Sequence, residues 1–361
     1  MSVIIQPENE FEILHSTFKE HFGWHCARIK LLVSLVISII KVQSVRYERL
    51  AEAMDSKANV LSRLRRIQRF FALFNIDSDL VSRFLFLNLP QKTDLSISID
   101  RTNWKFGNTD INIFMLSVTY QGMAFPLLWQ MLDKRGNSNC EERITLIDRF
   151  IKLFGKDCIK ELLADREFIG EKWFKYLEIN RIPSHIRIKD NLKLKKHDGK
   201  YIKVSWLAQG LKVDEVYHHK KLVYIGKSLV YITIKKLEKE EYLIIASYNN
   251  QGQSVESYKK RWQIETMFKA FKTNAYNMED THLKDLERID KLLVVISIAF
   301  FWAYKVGIQK DEMKPIKTKK HGRKAYSYFK YGLSVLRDLL LNGKSREKSQ
   351  LQSIVKVLSC T

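Results

Sequence analysis

The sequence has few of the residues that break or cross-link a chain. Five prolines and fourteen glycines in 361 residues argue against long disordered linkers, whose composition is rich in both. The four cysteines, Cys26, Cys140, Cys158 and Cys360, are scattered without paired spacing. That argues against a disulfide framework and fits free thiols in a reducing compartment. Acidic residues are the scarce sign: 40 Asp and Glu stand against 62 Lys and Arg, for a formal net charge of +22. Such a surface attracts polyanions, nucleic acid being the commonest; a lysine surplus that serves only solubility is the bland alternative. Long apolar runs are missing as well. Leu31 to Ile40 and Leu292 to Ala303 fall short of the roughly 20 residues that cross a bilayer, and both read as buried helices. The opening MSVIIQPENEFEIL lacks the basic region and apolar run of a signal peptide, so a soluble cytoplasmic protein with no membrane partner is expected. No internal repeat or low-complexity tract is present. His21, His25 and Cys26 lie close together, but no second cluster completes a metal site, and packing or exposure is the preferred reading.

What is present reads as a folded chain, 45% hydrophobic and 28% charged. Residues 11 to 90 carry helical patterning. Within them Leu50, Ala51 and Met54 form one apolar stripe, Asp55-Ser56 a break with capping residues, and Val60, Leu61 and Leu64 a second stripe among Arg63, Arg65, Arg66 and Arg69. Two short helices joined by a polar turn, the second basic, suggest a helix-turn-helix-like DNA reader with Arg63 and Arg66 as contacts. A plain helical hairpin with a solvated basic face fits equally well.

The period then changes from helical to alternating. LSISID (95–100) is a strand ending in an acid, INIFMLSVTY (111–120) a second, and Met123 to Met131 a third. A helix is expected over 141–154, an apolar strand over 158–164 that ends at Asp165, and a helix over 169–178. Three strands, a helix, a strand and a helix is the order of a ribonuclease-H-like fold, in which acids at the ends of neighbouring strands meet. From 186 to 246 the sequence is strand-like with lysine-rich turns. One helix is expected over 255–276 and another, largely buried, over 283–308. A basic polar stretch over 314–330 and a tail of short helices close the sequence.

The helix SYKKRWQIETMFKAFK carries the most specific pattern. Tyr258, Arg261, Glu265 and Lys272 fall at roughly 0°, 300°, 340° and 320° around a continuous α-helix, one stripe about 60° wide. A helix stripe facing a core is normally apolar. This one offers a carboxylate to a metal, two cations to phosphate oxygens and a phenol as a further donor. A solvated helix laced with ion pairs explains the charges but not the preceding strand acids. Asp100 and Asp165 each follow an apolar run, where a charge is costly unless partnered; a turn-forming or helix-capping aspartate is the alternative for each. Three gathered carboxylates would repel one another unless held by hard divalent cations. Two such ions suit an in-line displacement at phosphorus.

These residues resemble a known family. Tyr258, Arg261, Glu265 and Lys272 match the Y-x2-R-x3-E-x6-K motif of the bacterial insertion-sequence four family of DDE transposases with no departure in spacing. IDRTNWKFG resembles the family's first-aspartate region, at Asp100, and LADREFIG its second, at Asp165. The resemblance covers residues 95 to 275 and includes the habit of inserting strands between the second aspartate and the glutamate. It implies catalysis and metal binding by Asp100, Asp165 and Glu265 with two Mg2+ or Mn2+ ions. It also implies DNA contacts by Tyr258, Arg261 and Lys272. Double-stranded DNA, as terminal inverted repeats and target, is the implied partner, with two protomers synapsing two ends. The implied route is a nick at the element's end, attack by the freed 3′ hydroxyl to give a hairpin, reopening, and joining to target. In hairpin-forming relatives an aromatic residue of the insertion holds a flipped base. Tyr242 is the most similar position here, where a tryptophan is expected; Trp206 is a rival, Trp104 beside Asp100 could stack, and core packing is the alternative for each.

The expected architecture is therefore mixed α/β (α+β). It comprises a helical N-terminal DNA-binding domain over 1–90, a ribonuclease-H-like catalytic core over 91–185 and 250–310, a β-rich insertion over 186–249 and a basic helical C-terminal region over 311–361. A catalytically silent DNA-binding regulator and a nuclease on the same fold are the competing readings.

Overall fold

A computed structural model describes residues 10–238, 241–249, 252–320 and 322–342. The opening nine residues, Cys360 and most of the tail lie outside the described residues. Five helices come first: α1 (Glu10–Phe22), α2 (Cys26–Val42), α3 (Tyr47–Ala53), α4 (Val60–Leu73) and α5 (Ser78–Leu87). Then follow β1 (Leu95–Phe106), β2 (Thr109–Tyr120), β3 (Met123–Met131), α6 (Cys140–Phe154), β4 (Ile159–Ala164), α7 (Glu171–Ile179) and β5 (Ser184–Arg187). Four short strands come next, β6 (Lys193–Lys195), β7 (Tyr201–Lys203), β8 (Val216–His218) and β9 (Val223–Ile225), and two longer ones, β10 (Ser228–Lys236) and β11 (Tyr242–Tyr248). The last helices are α8 (Ser254–Lys259), α9 (Trp262–Lys269), α10 (Leu286–Met313) and α11 (Tyr328–Asn342). The molecule is thus mixed α/β.

The chain forms two compact units. One comprises Met1–Leu89, Lys105–Thr109 and Phe268–Thr361; the other comprises Pro90–Trp104 and Asp110–Met267. In the helical unit α10 is the hub. Long and apolar enough by length and composition to cross a membrane, it has its most apolar window 83% buried within the protein, packing against α2, α4, α5 and α11. Each large aliphatic side chain so buried contributes roughly 1.5–3 kcal/mol. Two lysines are drawn into this core by partners: Lys291 donates to the Phe71 carbonyl at 3.1 Å, and Lys305 to Asn88 Oδ1 at 2.7 Å. Gly307 and Gly332 let α10 and α11 approach closely, because a Cβ at either would overlap backbone of the facing helix. Asp285 caps α10 through the N–H groups of Glu287 and Arg288. Asn59 caps α4 through the N–H of Ser62.

The second unit is built on a sheet in the order β3-β2-β1-β4-β5-β11-β10-β9-β6-β7, with β8 paired to β10. β1, β4 and β5 run parallel, while β11 is antiparallel to β5 and β10. The pattern of short apolar runs follows from this, since central parallel strands are covered on both faces. α6 begins with a reciprocal capping box between Asn139 and Glu142, which satisfies two N–H groups that the helix itself cannot.

Two sequence expectations need correction. β1 does not end at Asp100 but continues to Phe106. The helix expected over 255–276 is broken: α8 stops at Lys259 and α9 begins at Trp262. Between them the N–H groups of Lys260, Arg261, Gln263 and Ile264 each bond three residues back, a 3₁₀-like tightening. After Lys269 the chain widens into a π-helical turn, Ala270–Asn274.

Candidate active site

The parallel pairing of β1 and β4 brings the two aspartates to one place. Ser96 faces Glu161 and Ile99 faces Ala164, so the next pair along is Asp100 and Asp165. β4 stops at Ala164 while β1 runs on, and Asp100 therefore lies where its parallel neighbour ends. Alternation along a strand puts Ser96, Ser98 and Asp100 on one face, and Glu161, Leu163 and Asp165 on the matching face next door.

The segment from α8 to α9 meets these acids. Tyr258, buried with Ile245 and Val255, donates its hydroxyl to Asp165 Oδ1 at 3.2 Å. Arg261, only 2% exposed, donates to Asp100 Oδ2 at 3.0 Å and to Glu265 Oε1 at 2.6 Å. Its Nε is buried with no hydrogen-bond partner, and the Tyr258 and Trp262 rings lie 5.5 and 5.6 Å from its guanidinium. The backbone N–H groups of Arg101 and Arg166 donate to Asp100 and Asp165, both at 2.7 Å. Burial pushes the Asp100 carboxyl up to about 7; Arg261 opposes this, while Glu167 and Asp165 reinforce it. Burial also raises the Tyr258 hydroxyl, which stays protonated. For Arg261 burial works against the charge, but Tyr258, Asp100, Asp165 and Glu265 outweigh it and hold the guanidinium protonated.

The three carboxylates do not converge on one point here: Arg261 bridges Asp100 and Glu265, and Asp165 bonds Tyr258. Among the described residues no three His, Cys, Asp or Glu side chains are arranged to hold a metal ion. The physical reason is that Arg261 stands between Asp100 and Glu265 and supplies the opposite charge that such acids require. Neither aspartate caps a helix, since α7 has Gly170 at its N-cap.

The four-residue stripe is divided between the two units. Tyr258, Arg261 and Glu265 fall in the sheet unit, while Lys272 falls in the helical unit, where it pairs with Glu279 at 2.7 Å. Trp104 is half-buried on β1, an even number of residues from Asp100. Tyr242 lies under Lys236 Nζ (5.9 Å to the ring) and lines a groove of about 380 Å³ with Arg166, Arg187 and Lys189. Trp206 is 58% exposed.

Arg63 differs from its expected role. Its guanidinium is folded back onto the carbonyls of Ala51, Met54, Ser56 and Ala58, closing the α3–α4 turn instead of facing outward. Arg66 is exposed. Of the residues near the N-terminus weighed as metal ligands, His25 caps α2 and His21 packs on Phe84 at 5.1 Å.

Sequence reasoning missed a second layer. Arg101 reaches Glu167 at 3.0 Å, Asn112 at 2.9 Å and Asn137 at 2.8 Å. Arg143, 5% exposed, holds the carbonyls of Ser138 and Glu167 and so braces the loop after Asp165. Glu161 is 3% exposed and bonds Ser96 Oγ at 2.6 Å and Lys260 Nζ at 2.7 Å, with His185 Nε2 at 3.5 Å. Burial alone would raise its carboxyl, but His185, Lys260, Ser96 and Ser257 together hold it well below the usual range. The only sequence signal was an acid inside the apolar run IKELLA, which alternation alone reads as ordinary strand.

A family model described as the transposase DDE domain matches residues 91–302. Among solved structures, an endonuclease V from Bacillus subtilis aligns at 11% identity over 68% of this chain and 94% of its own, with a TM-score of 0.26. That score carries no argument. No curated protein matches the chain.

Proposed function

Because the chain belongs to the family defined by the transposase DDE domain, we propose that it is an active DNA transposase with Asp100, Asp165 and Glu265 as its catalytic and metal-holding residues. One observation carries this reading: Asp100 and Glu265 share Arg261, while Asp165 bonds Tyr258 three residues before it. The donor set is carboxylate oxygen throughout, which fits hard divalent cations such as Mg2+ or Mn2+. Arg261 already pairs two of these acids, Asp100 and Glu265, with positive charge, which supports that reading. With Arg261 turned toward a phosphate, Asp100, Asp165 and Glu265 would hold the ions. When bound, a pair of ions supplies activation of the attacking oxygen and stabilisation of the leaving one. The chain's own residues do the rest. Arg261 grips phosphate oxygens through its planar fork, Tyr258 donates its hydroxyl, and Arg101 and Arg143 keep the loop after Asp165 in place.

The finer assignment, to the insertion-sequence four family with its Tyr258, Arg261, Glu265 and Lys272 motif, rests on the spacing of those residues. The arrangement of β1–β5 supports a ribonuclease-H-like core, with acids on adjacent parallel strands. Excision and integration through a hairpin, by two protomers on two ends, follows from that assignment, with Tyr242 beside its groove of mixed charge as the base-holding candidate. DNA is also gripped by α4, where Arg65, Arg66 and Arg69 are exposed. Arg65 and Arg69 line a groove of about 730 Å³ with Tyr47 and Arg288.

A duplex bearing the DNA that flanks the reading frame, incubated with Mg2+ or Mn2+, tests the proposal. Asp100→Ala, Asp165→Ala and Glu265→Ala should each abolish cleavage and spare binding; normal turnover by any of them defeats the assignment. Binding without cleavage by the parent protein would favour the regulator. Cleavage with no joining to a target plasmid would favour a nuclease.

A further inference from the structure

We propose that the ion pair of buried Glu161 with half-exposed Lys260 is a positioning device, which fixes the tight turn before α9 against the sheet and so sets where Arg261 and Glu265 meet Asp100. What those residues then do rests on the transposase reading; the contact itself does not. Glu161 is 3% exposed in β4 and is held by Ser96 of β1 at 2.6 Å and by Lys260 at 2.7 Å, with His185 Nε2 of β5 3.5 Å away. His185 is itself anchored by Ser247 of β11 at 2.9 Å. A buried ion pair is weak evidence for stability, because an apolar pair of similar volume often serves as well. What it can add is direction, since a single register satisfies the charge.

The register here is specific. Lys260 and Arg261 are consecutive, and the 3₁₀-like tightening turns both toward the sheet. Lys260 reaches Glu161 while Arg261 reaches Asp100. Ser96 and Glu161 form one rung across β1 and β4, and Asp100 and Asp165 lie four residues further along the same strands, about 13 Å away. The first rung is closed by a lysine that stays paired; the second carries the candidate chemistry. With no residue between Lys260 and Arg261, a shift of the first is passed directly to the second. Geometric errors of about 1 Å at a reacting centre cost up to about a hundredfold in rate.

The test uses the full chain with Glu161→Gln, Lys260→Met and the double variant, each checked for folding by circular dichroism and thermal melts. Cleavage of the flanking-DNA duplex with Mn2+ is resolved into the rate at saturating DNA and the half-saturating DNA concentration. In parallel, 5-fluorotryptophan is incorporated and the Trp262 resonance assigned by Trp262→Phe, because that ring lies 5.6 Å from the Arg261 guanidinium. Each single variant should lose about tenfold or more in saturated rate with half-saturation unchanged, and should shift the Trp262 fluorine signal. The double variant should be no slower than the singles, since the second change removes a contact already lost. Folded single variants with the parent's saturated rate and an unmoved fluorine signal would overturn the proposal, as would fully additive losses. Should Glu161→Gln fail to fold, Lys260→Met, whose side chain is 37% exposed, carries the same comparison. If the parent protein cuts no DNA, the transposase reading fails and the fluorine signal alone decides the role of the pair.

Discussion

Asp100 lies on a strand covered by other chain, and its charge is uncomfortable there. Burial pushes its carboxyl from 3.8 up to about 7 even with Arg261 at 3.0 Å. A group raised in the fold favours the folded state below its unfolded value and becomes a liability as pH climbs through its folded value. In chelator, Asp100→Asn should therefore melt at a higher temperature than the parent at pH 8. The gap should close as pH falls below 4. Thermal melts across that range check it, and a gap that does not vary with pH would refute burial of the carboxylate as the cause. The identity of Asp100 as a special acid was legible in the sequence, because a charge beside an apolar run needs a partner. Its partner was not legible. Arg261 lies 161 residues away, and only folding shows that it reaches both Asp100 and Glu265.

At the scale of elements, two devices shape the molecule. The first is the close crossing of α10 and α11 in the helical unit, permitted by Gly307 and Gly332. Gly332→Ala should cost about 1–3 kcal/mol, as overpacking does, because the new methyl group meets the backbone of Ala303 and Gly307. A chemical denaturation series measures this; a stability equal to the parent's would mean the helices part freely. The second is the interruption at Lys260–Arg261. Hydrophobic periodicity describes a continuous helix across this point, and the four-residue stripe depended on that continuity. The interruption is made by hydrogen bonds three residues back and by side chains that reach two different strand acids. Neither leaves a trace in local periodicity. Most other elements were legible from alternation and helical period, with ends displaced by a residue or two, though the helix expected over 283–308 runs over Leu286–Met313. β1 was an exception: its continuation through Arg101 and Trp104 is half-exposed, and its apolar signal stops at Asp100.

For the whole molecule the dominant quantity is charge, +22 over 361 residues. Exposed Arg65, Arg66 and Arg69 have no acidic partner among the described residues. In a protein with many paired arginines, that leaves them available to phosphates. Replacing all three by alanine should flatten the dependence of log affinity for duplex DNA on log salt by roughly 3, at about 0.9 per lost phosphate contact. Binding measured over a salt series gives that slope directly. An unchanged slope would move the DNA to another face.

The sequence by itself pointed to the transposase family, which the matching domain over residues 91–302 shows. A basic composition, two acids after apolar strands and a spaced Tyr-Arg-Glu-Lys set are properties of composition and spacing, which survive without coordinates. It also determined most helices and strands, because burial on one face imposes its period on the residues. Only the tertiary structure decided that Arg261 stands between Asp100 and Glu265, that Arg63 closes a turn, and that buried Glu161 pairs with Lys260. Those facts depend on which distant side chains meet across parallel strands and a tightened helical turn. No local pattern encodes that, because pairing register is fixed by the packing of the whole sheet.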